Sequence, residues 1–374
     1  MRVLFLCPLP PPITGHSIAA QTVRDGLTAR HQVTVVDLGK GSQHDGGVTW
    51  SRLRAVGAAL AEVRRGERGA ESVYLTISES LFGNLKDLAI YALCAPRLDR
   101  VVVHLHGGSI GRDLFDRRPL IRWLNRLALS RVGAVILSGK SHLPIIEGMT
   151  PRNRVHLVPN FADDALFSDR AAIESTFAVL TPLRVLYMSG MIAMKGYDVL
   201  ADAYLTLTPE QQSLMEIDFA GKFDSAEAQA QFESRIAGVA GLTYHGLVDH
   251  ASKSALFAHA HVFCLPTAFR EGQPLSILEA YAAGCVVLTT PQPGILDIFT
   301  PGKHGWAMEP QSVASARAAL EHVLAAREEL CGMALANRTE AEARFRTGRF
   351  TSAVEEILRS VGAGGDGQRR LSAR

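Results

Sequence analysis

The sequence predicts an α/β protein of two doubly wound, Rossmann-like domains, and three observations predict it. Apolar runs of strand length alternate with stretches of helix length almost from end to end, the order that builds parallel sheets. The pattern lapses over residues 162–182 and restarts with a fresh apolar run at Leu183, so it is written twice. The chain, 374 residues long, exceeds one ordinary domain, and its charge is divided: residues 1–182 carry +6 and the remainder −4, within a net +2. Halves of opposite sign suit domains with separate partners. The expected layout is a first domain over 1–165, a linker over 166–182, a second domain over 183–345, a helix over 346–361 and a disordered tail over 362–374.

Composition sets the outer bounds. Hydrophobic residues make up 47% and charged residues 20%, enough apolar material for two cores. No run approaches the roughly 18 apolar residues of a spanning helix, and MRVLFLCPLPPP is too short in its apolar part for a secretory leader. The five cysteines, at 7, 94, 264, 285 and 331, sit mostly in apolar runs without close pairs, which reads as reduced thiols in a reducing compartment. A soluble cytoplasmic protein is expected, with attachment to the inner face of a membrane left open and no nucleic-acid partner.

Taken in order, RVLFLC (2–7) is a first strand, ended by Pro8 and Pro10 to Pro12. Gly15 permits close backbone approach before a helix opening near Ser17. Both a phosphate-cradling turn and a plain structural turn are open, because the Gly-x-Gly-x-x-Gly spacing is missing. HQVTVVDL (31–38) is a second strand, and GKGSQHDGGVTW (39–50) reads as a mobile loop. A helix over 51–65, a strand over 72–77 and a helix over 81–94 continue the alternation. VVVHLHGGSIGR (101–112) is a valine-rich strand that delivers His104 and His106 to its carboxyl end, where open parallel sheets bind ligands, with Gly107 and Gly108 exposing amides beyond it.

DRRPLIRWLNRLALSRVG (116–133) is basic and amphipathic. Leu120, Trp123, Leu124 and Leu127 make an apolar face, with Arg117, Arg118, Arg122, Arg126 and Arg131 around it. One reading is a surface helix burying that face; the other is contact with anionic lipid or a lipid-linked pyrophosphate. AVILSGKS (134–141) is a strand and, with Gly133 out of register, no phosphate loop; VHLVPNFAD (155–163) is a further strand. LRVLYMSGMIAMKGYDVLADAY (183–204) restarts the pattern, and Lys195 with Gly196 opens its helix, so an ammonium stands where an anion would meet the helix start. Strands follow at 217–223 and 242–249, and after 286–290 helices are expected over 311–326 and 351–361.

The most informative stretch is REGQPLSILEAYAAG (270–284), which follows the buried strand VFCLP (262–266). Leu275, Leu278, Ala282 and Val286 fall at three- and four-residue spacings, so a helix begins after Pro274 with Glu271 ahead of it and Glu279 inside it. Gly272, Gln273 and Pro274 leave its first amides, through Leu275 and Ser276, without internal acceptors, which suits an anion such as a diphosphate. Carboxylates on either side accept hydrogen bonds only, which suits sugar and ribose hydroxyls. The plainer alternative makes Glu271 a dipole partner and Glu279 a solvated helix residue.

This segment resembles the signature of retaining glycosyltransferases of family 4, the group 1 glycosyl transferases: glutamate, seven residues, glutamate. The match includes the strand ending in Leu-Pro, the Glu-Gly-x-Pro turn, the Leu-Glu-Ala helix and the Ala-x-Gly-x-x-Val sequel. It implies the GT-B fold, two Rossmann-like domains facing across a cleft, with a C-terminal helix crossing back to the first. It implies transfer of a sugar from a UDP- or GDP-sugar to a hydroxyl of a glycan or lipid-linked acceptor, with retained anomeric configuration and no metal. Under it Glu279 holds the ribose hydroxyls and Glu271 a sugar hydroxyl. Lys195 and the amides of Gly272 to Ser276 stabilise the diphosphate, His106 matches the family histidine beside the sugar, and Gly15 approaches the reaction centre. Two positions depart from the family pattern: Gly190 stands where an arginine is usual, and Phe161 replaces the glycine of a Pro-Asn-Gly turn. A nucleotide-sugar epimerase of the same architecture and a non-catalytic nucleotide-sugar-binding protein remain as alternatives.

Overall fold

Strands covered on both faces must be apolar throughout, and the valine- and leucine-rich runs of this chain pair into two parallel sheets. The computed structural model describes residues 1–39 and 50–372, and the chain divides into two compact units: Met1–Asn160 with Gly348–Arg374, and Phe161–Thr347. The loop expected over 39–50 falls, apart from its ends, outside the described residues.

In the first unit β1 (Arg2–Cys7), β2 (Gln32–Asp37), β3 (Ser72–Thr76), β4 (Val101–Leu105), β5 (Ala134–Leu137) and β6 (Val155–Leu157) form one sheet in the order β2-β1-β3-β4-β5-β6. The connections run through α1 (Gly15–Thr28), α2 (Trp50–Gly66), α3 (Leu81–Leu93), α4 (Pro119–Leu129) and α5 (Leu143–Ile146). Thr14 caps α1 by accepting from the Ser17 amide at 3.0 Å, so the helix begins at Gly15 rather than near Ser17. The order reverses between β1 and β3, so the loops after these two strands open a crevice at the carboxyl edge.

The second unit holds α6 (Arg170–Phe177), β7 (Leu183–Met188), α7 (Tyr197–Leu205), α8 (Pro209–Gln212), β8 (Met215–Ala220), α9 (Ala226–Ile236) and β9 (Leu242–Tyr244). It continues with α10 (His250–His259), β10 (Val262–Leu265), α11 (Leu275–Ala283), β11 (Val286–Thr289), α12 (Pro293–Leu296), β12 (Gly305–Ala307), α13 (Val313–Ala325) and α14 (Arg327–Arg344). Its sheet runs β12-β11-β10-β7-β8-β9, and the reversal lies between β7 and β10. The final helix, α15 (Thr347–Ser372), belongs to the first unit from Gly348 onward. Buried Glu355 ties it there, accepting from Arg30 at 2.9 Å and pairing with His31 at 2.8 Å.

Several boundaries differ from the sequence reading. The stretch expected as a linker over 166–182 contains α6, capped by Asp169 through the Ala172 amide, with Ile173 and Phe177 buried in the second core. Eight residues are too few for a periodicity to declare itself. α14 was not anticipated, because its inward stripe of Leu330, Ala334, Asn337 and Ala341 carries little hydrophobic contrast. α15 extends into the segment expected as a tail. α4 is turned the other way from the burying reading: Ile121, Asn125, Ala128 and Leu129 face inward, while Leu120, Trp123 and Leu127 are exposed.

Candidate functional site

In the second unit the reversal of strand order places the loops after β7 and β10 side by side, and these loops carry Lys195 and Glu271. Their backbones are stapled together. The Met194 carbonyl accepts from the Ala268 amide at 2.8 Å and from the Phe269 amide at 3.0 Å. Lys195 ends a short turn whose exit is Gly196 at φ 79°, where a Cβ would stand 2.2 Å from the Pro266 carbonyl oxygen. Only glycine meets both demands. Behind Glu271, a Cβ on Gly294 would come within 1.7 Å of the Gly272 carbonyl oxygen, so the following turn can close on the loop only with glycine there.

This scaffold joins the two charges. Lys195 Nζ lies 3.1 Å from Glu271 Oε1, with both side chains largely shielded, and Thr267 Oγ1 donates to the same oxygen at 3.2 Å. The Lys195 ammonium also sits 5.5 Å from the Phe269 ring centre. The solvated lysine that its surroundings in sequence would allow is not what is found. Pro274 precedes α11 and supplies no side-chain cap, so the first turn offers the amides of Leu275 and Ser276 and the positive end of the helix dipole. Gln273 is buried in the same turn.

Glu279 is buried in α11, which excludes the solvated alternative, and burial raises its carboxyl above the ordinary range. Lys253 of α10 opposes that shift with Nζ 2.5 Å from Glu279 Oε1. Asp163 and His250, paired at 2.9 Å, stand near enough to act on it as well. Lys253 was missed in the sequence because the pair spans 26 residues and depends on how α10 meets α11. At Gly190, where an arginine was sought, the carbonyl accepts from Tyr187 Oη at 3.2 Å.

The first unit carries a separate cluster at its own strand reversal. His106 follows β4 and stacks on His104 with ring centres 3.9 Å apart, and His16 of α1 lies 4.9 Å from His106. Tyr74 Oη and His104 Nδ1 share a 2.6 Å hydrogen bond. Burial lowers all three rings: His104 to about 3, His16 to about 4 and His106 well below the ordinary value, so they are neutral at physiological pH. Both His106 nitrogens are buried without hydrogen-bond partners among the described residues. Glu79, which the sequence did not single out, accepts from the amides of Ser109 and Ile110 at 3.0 and 3.2 Å and so fixes the glycine loop beyond His106. Gly15, also expected near the centre, opens α1 one residue before His16.

Residues 182–326 match the family described as Glycosyl transferases group 1. This stretch of the second unit is similar to the group 1 glycosyl transferases. Lys195, Lys253, Glu271 and Glu279 all lie inside the matched segment. Solved structures extend the likeness of fold to nearly the whole chain. HepE from Anabaena is 17% identical at TM-score 0.74, covering 96% of this chain and 100% of that one. Sucrose-phosphate synthase from Thermosynechococcus elongatus is 14% identical at TM-score 0.72, covering 97% and 99%. A glycosyltransferase from Rickettsia africae ESF-5 is 13% identical at TM-score 0.72, covering 96% and 98%. No curated protein matches the sequence. The two parallel sheets with flanking helices are the GT-B architecture that the resemblance implied.

Proposed function

We propose that this glycosyltransferase moves a sugar, with retained anomeric configuration, from a UDP- or GDP-sugar to a hydroxyl of a lipid-linked or surface-polysaccharide acceptor. One observation carries the reading: the Lys195–Glu271 pair stands at the strand reversal, in the loops that lead to the uncapped start of α11, with buried Glu279 further along that helix. HepE, of the same fold, has been crystallised with UDP, with UDP and glucose, and with UDP-glucose, which supports the donor class.

In this reading a diphosphate rests on the amides of Leu275 and Ser276 and draws Lys195 toward it. Glu271, released from part of its pairing, accepts from a sugar hydroxyl, and Glu279 accepts from the ribose diol. Charge developing on the leaving diphosphate is met by fixed dipoles and an ammonium, with no metal in the scheme. His106 and Gly15 are assigned to the sugar in the substrate-bound enzyme, His106 as a neutral ring. A cytoplasmic protein at the inner face of the plasma membrane fits such an acceptor, and no helix among the described residues is long and apolar enough to cross a membrane.

The reading is tested by incubating the protein with a panel of nucleotide sugars and scoring nucleoside diphosphate release by mass spectrometry, with and without glycan acceptors. Release that increases with acceptor is expected. An epimerised donor would establish the epimerase alternative, and binding without release the non-catalytic one.

Lys253 gives a sharper expectation. Lys253→Met removes the charge that favours the ionised form of Glu279, so donor affinity should fall about tenfold or more, the worth of a charged hydrogen bond. Because Glu279 is already raised by burial, the loss should be greatest at low pH and recover as pH rises, whereas the wild type stays flatter. Calorimetric titration of UDP and GDP at several pH values checks it. A pH-independent loss would make Lys253 merely structural.

A further inference from the structure

The outer faces of α3 and α4 are apolar where a soluble domain would be polar. Phe82 and Leu85 on α3 are 68% and 44% exposed, and Leu120, Trp123 and Leu127 on α4 are 66%, 53% and 47% exposed. The two helices follow successive strands in the same direction across the sheet, which puts them side by side on one face. A buried pair of amides locks them there: Asn125 Nδ2 donates to Asn84 Oδ1 at 2.7 Å and Asn84 Nδ2 to Asn125 Oδ1 at 3.3 Å. α4 thus buries Asn125 beside Ile121 and Leu129 and leaves Leu120, Trp123 and Leu127 outside, a second apolar stripe that covering the sheet does not require.

Charge decides what covers this face. Arg117, Arg118, Arg122 and Arg126 surround the α4 stripe. Arg122 lies 3.4 Å from Asp116 and Arg117 4.0 Å from Asp113, while among the described residues Arg118 and Arg126 form no ion pair. A second copy docked on the same patch would set arginines against arginines. A layer with an anionic surface and an apolar interior satisfies both parts at once, and Trp123 has the amphipathic ring suited to its boundary.

From this we infer that the α3–α4 face is a docking surface for anionic lipid, with Phe82, Leu120, Trp123 and Leu127 entering the acyl boundary and Arg118 and Arg126 resting on headgroup phosphates. The inference deepens the proposed role at a membrane by naming the surface, and it is tested without any donor or acceptor.

The full chain is floated with vesicles of phosphatidylcholine alone and with vesicles containing phosphatidylglycerol. Binding is expected to the anionic vesicles only, weakened by salt, with a blue shift of Trp123 fluorescence that Trp123→Ser abolishes. Arg118→Gln with Arg126→Gln should weaken partition roughly thirtyfold, as two surface arginines would. Circular dichroism and donor hydrolysis, measured on the same variants, should be unchanged. Absence of flotation, or equal binding to neutral vesicles regardless of salt, overturns the inference. So does concentration-dependent dimerisation lost in Trp123→Ser, which would make the face a self-interface. A chain that floats but never releases nucleoside diphosphate leaves the docking surface standing and removes the enzymatic reading.

Discussion

Replacing Lys195 by alanine is expected to lower turnover by about 10²- to 10³-fold while changing donor affinity far less. In the free protein the ammonium is already neutralised by Glu271 at 3.1 Å, so ground-state binding exchanges one anionic partner for another. The gain comes when the sugar departs and charge gathers on the diphosphate, an interaction stronger in the transition state than before it. Gly190 stands where the resembled family carries a second cation, which concentrates the effect on Lys195. Lys195→Arg should recover part of the rate, because the charge is kept and only its geometry changes. Single-turnover rates and calorimetric donor affinities separate the two effects. Turnover within a few-fold of wild type in Lys195→Ala would remove its role.

Acid is expected to destabilise the first unit from about pH 6.5 downward, near the titration of an ordinary histidine. The folded-state values of His104, His106 and His16 are depressed, so folding favours their neutral forms. Their contribution is therefore full above the unfolded value and is lost as pH falls toward the folded one. For His104, held at about 3, the loss between pH 7 and pH 5 is about 2 kcal/mol, and His106 adds to it. Asp87, raised to about 6 by burial, works in the opposite sense and offsets about 1 kcal/mol over the same interval. Glu79, raised in the same way, adds to that offset. The sum still favours unfolding, since three rings outweigh two carboxyls. Urea denaturation followed across this range checks the slope, and His106→Asn should flatten it. An unfolding free energy that stays constant from pH 7 to pH 5 would show that the rings find solvent or partners on protonation.

Much of this was legible in the sequence for a definite reason. Parallel strands are buried on both faces, so β1, β4, β7 and β10 appear as apolar runs that no surface pattern interrupts. Glu271 and Lys195 could be placed at helix starts because each sits where a strand gives way to a helix, a local event, while their roles came from the family resemblance. What could not be read was set by packing between distant segments. Asn337 looks like a surface residue of a polar helix, yet its amide donates to the carbonyls of Cys285 and His304 at 2.9 Å each and lies inside the core. Lys253 looks like a solvated lysine until α10 lies against α11. The α4 stripe was visible as apolar and basic, but which side it turned to solvent depended on the Asn84–Asn125 lock.

In the proposed complex a nucleoside diphosphate lies on the start of α11, held by one acid through its ribose and attended by Lys195. A crystal structure with UDP or GDP bound tests this most directly. Phosphate oxygens are expected within hydrogen-bond reach of the Leu275 and Ser276 amides and of Lys195, with the ribose hydroxyls on Glu279. A diphosphate seated away from α11, with Glu279 still closed on Lys253 and out of reach of the ribose, would contradict it.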